Sequence, residues 1–383
     1  MKTFIKMLVI NLLILEVLSF VLIHFFYVEQ PPNSYKQRFL PYFIDTEEPF
    51  TTWHYKNLST RHIGPKWNVE YKFNSYGARD KERKLSSTNT RFLFLGDSFL
   101  EGYGIPQKDR LSDRLEESTG IECLNFAVSG IGQTQMNLIY ENVGNKFSHD
   151  ALFIGFYPFN DFRENDYANR EKYYTNRYRP YRTKDSLGNF TLSYYQNSAE
   201  KSDYHASKFS EKGYFSLLLN AVKNDEGLLK KVKNIYFDFT YSGALIKSVI
   251  QRFDNIKEPH KKSILEKDTH HLENIKSQDW EILEHELRQI KNRAQNKPIL
   301  LLFIPHPGDF AYRSNLARTT AVQEKAETLC NSLGIHYIDF LELLPQKELS
   351  KLYIKNDDHW SSYGNKMAEQ IIKKKLLELN ILQ

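Results

Sequence analysis

Short, wholly apolar runs that stop abruptly at polar residues mark the middle and the end of this chain. Phe92, Leu93, Phe94 and Leu95 lead straight into Gly96-Asp97-Ser98, and residues 299–304 (Ile, Leu, Leu, Leu, Phe, Ile) lie between Pro298 and Pro305. Runs this short, without polar alternation, fit strands buried on both faces, as in a parallel sheet covered by helices. Further strands are expected at residues 121–127, 151–157 and 335–340. Between them lie segments of helical spacing: residues 108–118 with Leu111 and Leu115, 134–146, 280–296 with Ile282, Leu283, Leu287 and Ile290, 321–333 stopped by Gly334, and 362–379. This alternation predicts an α/β domain with a parallel sheet and helices on both faces.

The N-terminus carries a different signal. Residues 7–27 are apolar except for Asn11, Glu16, Ser19 and His24; Lys2 and Lys6 precede them, and Glu29 and Pro31-Pro32 follow. A helix of that length crosses a hydrocarbon layer of roughly 30 Å. Its far end is bulky and aromatic, unlike a signal-peptide cleavage site. An uncleaved transmembrane helix is expected, with its N-terminus in the cytoplasm and the rest of the chain outside. Glu16 at mid-span costs a few kcal/mol unless it is protonated or meets a partner helix.

The expected organisation is an anchor at 1–30, a linker and lead-in segment at 31–90, and the α/β domain at 91–383. An insertion at about 163–280 interrupts the domain. It begins with Arg, Tyr and Asn, continues as a hairpin around residues 185–189, reads as mostly helical over 210–256, and ends in a charged stretch. So long an interruption suggests a lid.

Composition narrows the function classes. With 383 residues, 41% of them hydrophobic, the chain suits one large core with elaborations. The formal charge of +5 comes from 52 basic and 47 acidic side chains that are interspersed, so no nucleic-acid footprint is expected. Cys123 and Cys330 are read as buried thiols, or as a single disulfide in an oxidising compartment. Cys-x-x-Cys and His-x-x-x-His spacings do not occur, so no metal is expected. Gly102 and Gly104 do not complete Gly-x-Gly-x-x-Gly, and no nucleotide or other cofactor is expected.

Ser98, at the end of a buried strand, is placed for an exposed hydroxyl, but a serine needs a base to become a nucleophile. His359 stands beside Asp357 and Asp358, either of which could orient its ring. His306, after another strand end, is the rival base, whereas His270-His271 lies in a charged stretch. Acyl transfer also needs donors at the oxyanion. Candidates are the Gly130 backbone N–H and the Asn160 side-chain amide, each following a strand.

Together these segments resemble the GDSL/SGNH hydrolase superfamily, in particular its bacterial membrane-anchored hydrolase and acyltransferase-like members. Residues 96–102, containing Gly96-Asp97-Ser98, resemble the first family block. Residues 125–130 resemble the second, Phe159-Asn160-Asp161 the third, and Asp357-Asp358-His359-Trp360 the last; residues 71–80 look like the family's lead-in. The resemblance covers roughly residues 68–162 and 280–380. It implies a flavodoxin-like three-layer α/β/α fold with a central, mostly parallel sheet. It also implies Ser98 as nucleophile, His359 as base, and an oxyanion hole of the Ser98 and Gly130 N–H groups and the Asn160 amide. The common last block is Asp-x-x-His, but Asn356 occupies the position three before His359. Asp357 matches the spacing of some exopolysaccharide-modifying members, so Asp357 is expected as the orienting acid and Asp358 is the second choice. The implied activity is an extracytoplasmic ester hydrolase acting on an acylated saccharide or lipid. The alternatives are an O-acyltransferase on a cell-envelope polysaccharide, or a non-catalytic saccharide-binding protein using the aromatic and basic residues 173–182.

Overall fold

The computed structural model describes residues 2–25, 43–46, 48–63, 67–170, 178–195, 227–243, 245–246, 271–316, 318–355 and 357–382. The chain divides into two compact units. The larger comprises Tyr42–Thr60, Val69–Tyr204 and Thr269–Gln383, and the smaller Met1–Pro41, Arg61–Asn68 and His205–Asp268.

At the centre of the larger unit is a five-stranded sheet of β1 (Arg91–Leu95), β2 (Glu122–Asn125), β3 (Ala151–Phe156), β4 (Ile299–Phe303) and β5 (His336–Asp339). All its pairings are parallel and the spatial order is β2-β1-β3-β4-β5. Every residue of β1, β3 and β4 is buried, which is why these strands, apart from Arg91 at the start of β1, read as apolar runs. Register is fixed by large side chains: Phe94 pairs with Phe153, and their rings stack at 4.4 Å and 8°.

Helices cover both faces. On one side α1 (Leu111–Thr119) packs with α7 (Ser362–Glu378). On the other, α4 (Ser277–Ala294) packs with α2 (Gln133–Asn142), α3 (Pro158–Asn165) and α6 (Ala321–Leu333). Another helix, α5 (Pro307–Leu316), follows β4. This is a three-layer α/β arrangement around a parallel sheet. Strand order reverses between β1 and β3, and open α/β sheets bind ligands at the carboxyl ends of strands beside such a switch point.

Two expected boundaries shift. Much of the segment read as linker and lead-in belongs to the α/β unit. Phe50 and Trp53 join the main core, and Tyr71 and Phe73 form a small cluster beside it. An antiparallel pair, Phe43–Asp45 with Thr52–His54, carries Trp53, whose Nε1 donates to Tyr76 O at 2.8 Å. Strands of three residues are too short for periodicity to reveal. The insertion is also narrower than 163–280. The expected hairpin forms between Arg179–Lys184 and Phe190–Tyr195, and Arg182 ties it to the α/β unit by donating to the buried Glu286 of α4 at 2.8 Å. Cys123 and Cys330 are buried free thiols, and burial pushes Cys123 well up and Cys330 to about 12.

In the smaller unit, Lys2–Phe25 is a 24-residue helix and Leu228–Phe239 another. Glu16 meets a partner here. Its carboxylate accepts from Tyr241 N at 2.8 Å, from Ser242 N at 3.1 Å and from the Ser242 hydroxyl. Among the described residues no helix is long and apolar enough to cross a membrane, so the expected transmembrane assignment of the N-terminal helix is not supported by the structure. The helix itself forms, but Asn11 and Glu16 interrupt its apolar side chains and Glu16 is held by protein groups. Residues 26–42, most of 196–270 including much of the helix expected at 210–256, residues 173–177 of the basic aromatic segment, and Asn356 lie outside the described residues.

Candidate active site

The turn after β1 is built to hold one hydroxyl. Asp97 caps a short helix, Ser98–Glu101, by accepting from Phe99 N at 3.0 Å. Gly96 and Gly155 let this helix sit against the sheet: a Cβ on Gly96 would lie 2.7 Å from Leu100, and one on Gly155 3.1 Å from it. The fully buried Arg79 closes the other end, donating to Glu101 O and Gly102 O at 2.6 Å and to Ile105 O at 2.7 Å. Ser98 is thus fixed at both ends of its turn.

His359 arrives from the loop between Leu352 and α7. Tyr353 bridges to Trp360, and Ile354 N donates to His359 O at 2.8 Å, closing the loop. His359 Nε2 lies 2.7 Å from Ser98 Oγ, and Nδ1 lies 2.6 Å from Asp357 Oδ1. A carboxylate can only accept, so Nδ1 carries the proton and the Nε2 lone pair faces the serine hydroxyl. The imidazole is framed by Tyr103, stacked at 4.3 Å, and by Phe99 at 5.2 Å. Asp358 turns elsewhere: its Oδ2 lies 3.4 Å from His306 Nε2. His306, the rival base, therefore pairs with a different carboxylate.

The oxyanion candidates follow strands on either side of β1, Gly130 after β2 and Asn160 after β3. Gly130 has φ of 72°, a left-handed conformation that glycine adopts without cost. Its loop is pinned because the Ser129 N–H and hydroxyl both donate to Glu101 Oε2. Among the described residues, no acceptor takes the Ser98 or Gly130 N–H. Asn160, in the first turn of α3, is buried, and its Nδ2 reaches Asp97 Oδ2 at 3.5 Å, leaving a second amide N–H for a ligand.

Buried charge lies beneath the site. Burial pushes Asp97 up to about 7, and the Glu164 charge adds to this against the pull of Phe99 N–H, His359 and Asn160. Asp161 is also raised, by burial and by the Asp97 charge; its carboxylate accepts from Tyr157 N at 2.9 Å and from Gln133 Nε2 at 2.5 Å. Glu101 goes the other way. Burial opposes its charge, but hydrogen bonds from His54 and Ser129 and the Arg79 charge hold it down at about 2.

A hydroxyl, an imidazole and a carboxylate in series can generate a nucleophile, and the candidate oxyanion donors Ser98, Gly130 and Asn160 follow β1, β2 and β3 respectively. Sequence reasoning missed the supports: Arg79, Glu101, Tyr103 and Phe99. Their side chains converge only after folding, although Glu101 and Tyr103 lie within five residues of Ser98.

The chain is similar in structure to lipolytic hydrolases of the GDSL type. A member of the lipolytic G-D-S-L family from Veillonella parvula shares 10% identity, covering 74% of this chain and 97% of its own, with a TM-score of 0.34. A lipase/acylhydrolase from Enterococcus faecalis shares 9%, covering 75% and 95%, with a TM-score of 0.35. A salicylyl-acyltransferase from a tetracycline biosynthetic pathway shares 11%, covering 77% of this chain and 57% of its own, with a TM-score of 0.35. No family model and no curated protein matches the sequence. Likenesses this distant carry no function by themselves, and the functional reading comes from the site geometry.

Proposed function

We propose that this protein is a serine ester hydrolase working through an acyl-Ser98 intermediate. The observation that carries the reading is the run Ser98 Oγ, His359 Nε2, His359 Nδ1, Asp357 Oδ1, with separations of 2.7 and 2.6 Å. Ser98 Oγ attacks the acyl carbon while Nε2 takes its proton. Negative charge on the carbonyl oxygen is met by the Ser98 and Gly130 N–H groups and the Asn160 amide. His359 returns the proton to the leaving alcohol, and Asp357 stabilises the imidazolium in between. Water then releases the acyl group by the same steps in reverse roles.

Replacing water by a sugar hydroxyl turns the same intermediate into O-acyl transfer, so hydrolase and transferase differ only in the acceptor. The substrate we propose is an acylated saccharide or lipid outside the cytoplasm. The ground for that location is the apolar N-terminal run with the lysines that precede it. A non-catalytic role is disfavoured because it would give no reason for an aligned serine, histidine and carboxylate.

The test uses the full-length chain in detergent with a fluorophosphonate probe. Wild type should label, and Ser98→Ala should not. A folded wild type that does not label would remove the nucleophile from this scheme.

A further inference from the structure

Beside the triad lies a second polar group that the acyl chemistry does not use. His306 Nδ1 accepts from Gly308 N at 3.0 Å, which places the ring proton on Nε2. That N–H faces Asp358 Oδ2 across 3.4 Å, longer than a well-formed N–H···O hydrogen bond. The His306 ring is held in place by Phe159, stacked at 4.4 Å and 12°, and its backbone N–H donates to Asp309 Oδ2 at 2.8 Å. The Asp358 side chain is 58% exposed and that of His306 21%. A preoriented donor and an open carboxylate therefore stand side by side at the surface.

Their position relates them to the reaction. Asp358 immediately precedes His359, and Phe159 immediately precedes Asn160. Tyr157 links the two sides, with its ring 4.6 Å from Phe99 and 5.7 Å from Phe159. The alcohol part of an ester must come within reach of His359, because that residue delivers the leaving-group proton. A hydroxyl is both a donor and an acceptor, so one can accept from His306 Nε2–H while donating to Asp358. The carboxylate disfavours an anionic group at the same place.

We infer that His306 and Asp358 form a subsite for the hydroxyl-bearing alcohol moiety of the substrate, which makes the preferred substrate an acylated saccharide rather than a simple lipid ester. This rests on the acyl-Ser98 reading. In transfer, the same subsite would hold the sugar acceptor, since acceptor and leaving alcohol occupy one position.

The experiment compares two acetate esters that differ only in the alcohol: 6-O-acetylglucose and ethyl acetate. Full-length wild type should favour the sugar ester in kcat/KM. That preference should fall about tenfold in Asp358→Asn and in His306→Gln, mainly through KM. Equal losses on both esters would show that the pair acts through His359 and would overturn the subsite. Unchanged preference in both variants, or no preference in wild type, would overturn it too. Glucose binding to the full-length protein by saturation-transfer NMR provides a readout apart from turnover. Glucose signals lost in Asp358→Asn support the subsite even if fluorophosphonate labelling fails; signals absent in wild type, or unchanged by the variant, count against it.

Discussion

Asp357 Oδ1 accepts two hydrogen bonds from His359: one from the backbone N–H at 2.9 Å and one from the ring Nδ1–H at 2.6 Å. The short spacing of two residues makes this possible, because the loop that carries the acid also carries the base. Ring and backbone are locked to the same oxygen, which fixes both tautomer and orientation. Asp357→Asn should therefore lower kcat by roughly 10³–10⁴-fold, the scale of losing the correct tautomer in such a triad. Steady-state hydrolysis of p-nitrophenyl acetate reads this directly, and a loss below about tenfold would mean a serine–histidine dyad suffices.

Asn160→Ala should lower kcat by roughly 10²–10³-fold with little change in KM, as expected for a donor that acts on the oxyanion. Comparable loss through KM alone would assign Asn160 to ground-state binding instead.

Stability should fall as pH rises through the range of Asp97. Burial raises its folded value to about 7 from an ordinary 3.8, so the folded state binds more protons than the unfolded between those limits. Stability is then present below about pH 4 and is lost progressively up to about pH 7. Asp97→Asn removes this titration. Its stability relative to wild type should increase as pH goes from 4.5 to 8 in urea unfolding, and a difference independent of pH would refute the assignment.

Gly364 sits in the first turn of α7, where Ser361 caps the helix by accepting from Tyr363 N and Gly364 N, each at 3.1 Å. A Cβ there would lie 2.1 Å from Leu352 O, in the segment leading to the His359 loop. Gly364→Ala should destabilise the protein by about 1–3 kcal/mol, the usual scale of overpacking. It should also slow fluorophosphonate labelling, because the loop must shift; a melting temperature equal to wild type would show that the contact relaxes freely.

The sequence by itself determined the sheet and the ends of its strands. Fully buried strands such as 299–304 must be apolar throughout, and helices between them must repeat their apolar residues on one face, so both periods survive in the linear text. It also singled out Ser98, His359, Gly130 and Asn160, because each follows or precedes a regular element at a recognisable turn. Only the tertiary structure decided which acid faces His359. Asp357 and Asp358 are adjacent and chemically identical, and their directions depend on loop closure between Ile354 and His359 and on His306, 52 positions away from Asp358. The same holds for Arg79 on the nucleophile turn, Glu101 on Ser129, and the aromatic lead-in residues Trp53 and Tyr71. Their roles come from long-range contacts that satisfy buried polar groups, and such contacts leave no period in a sequence.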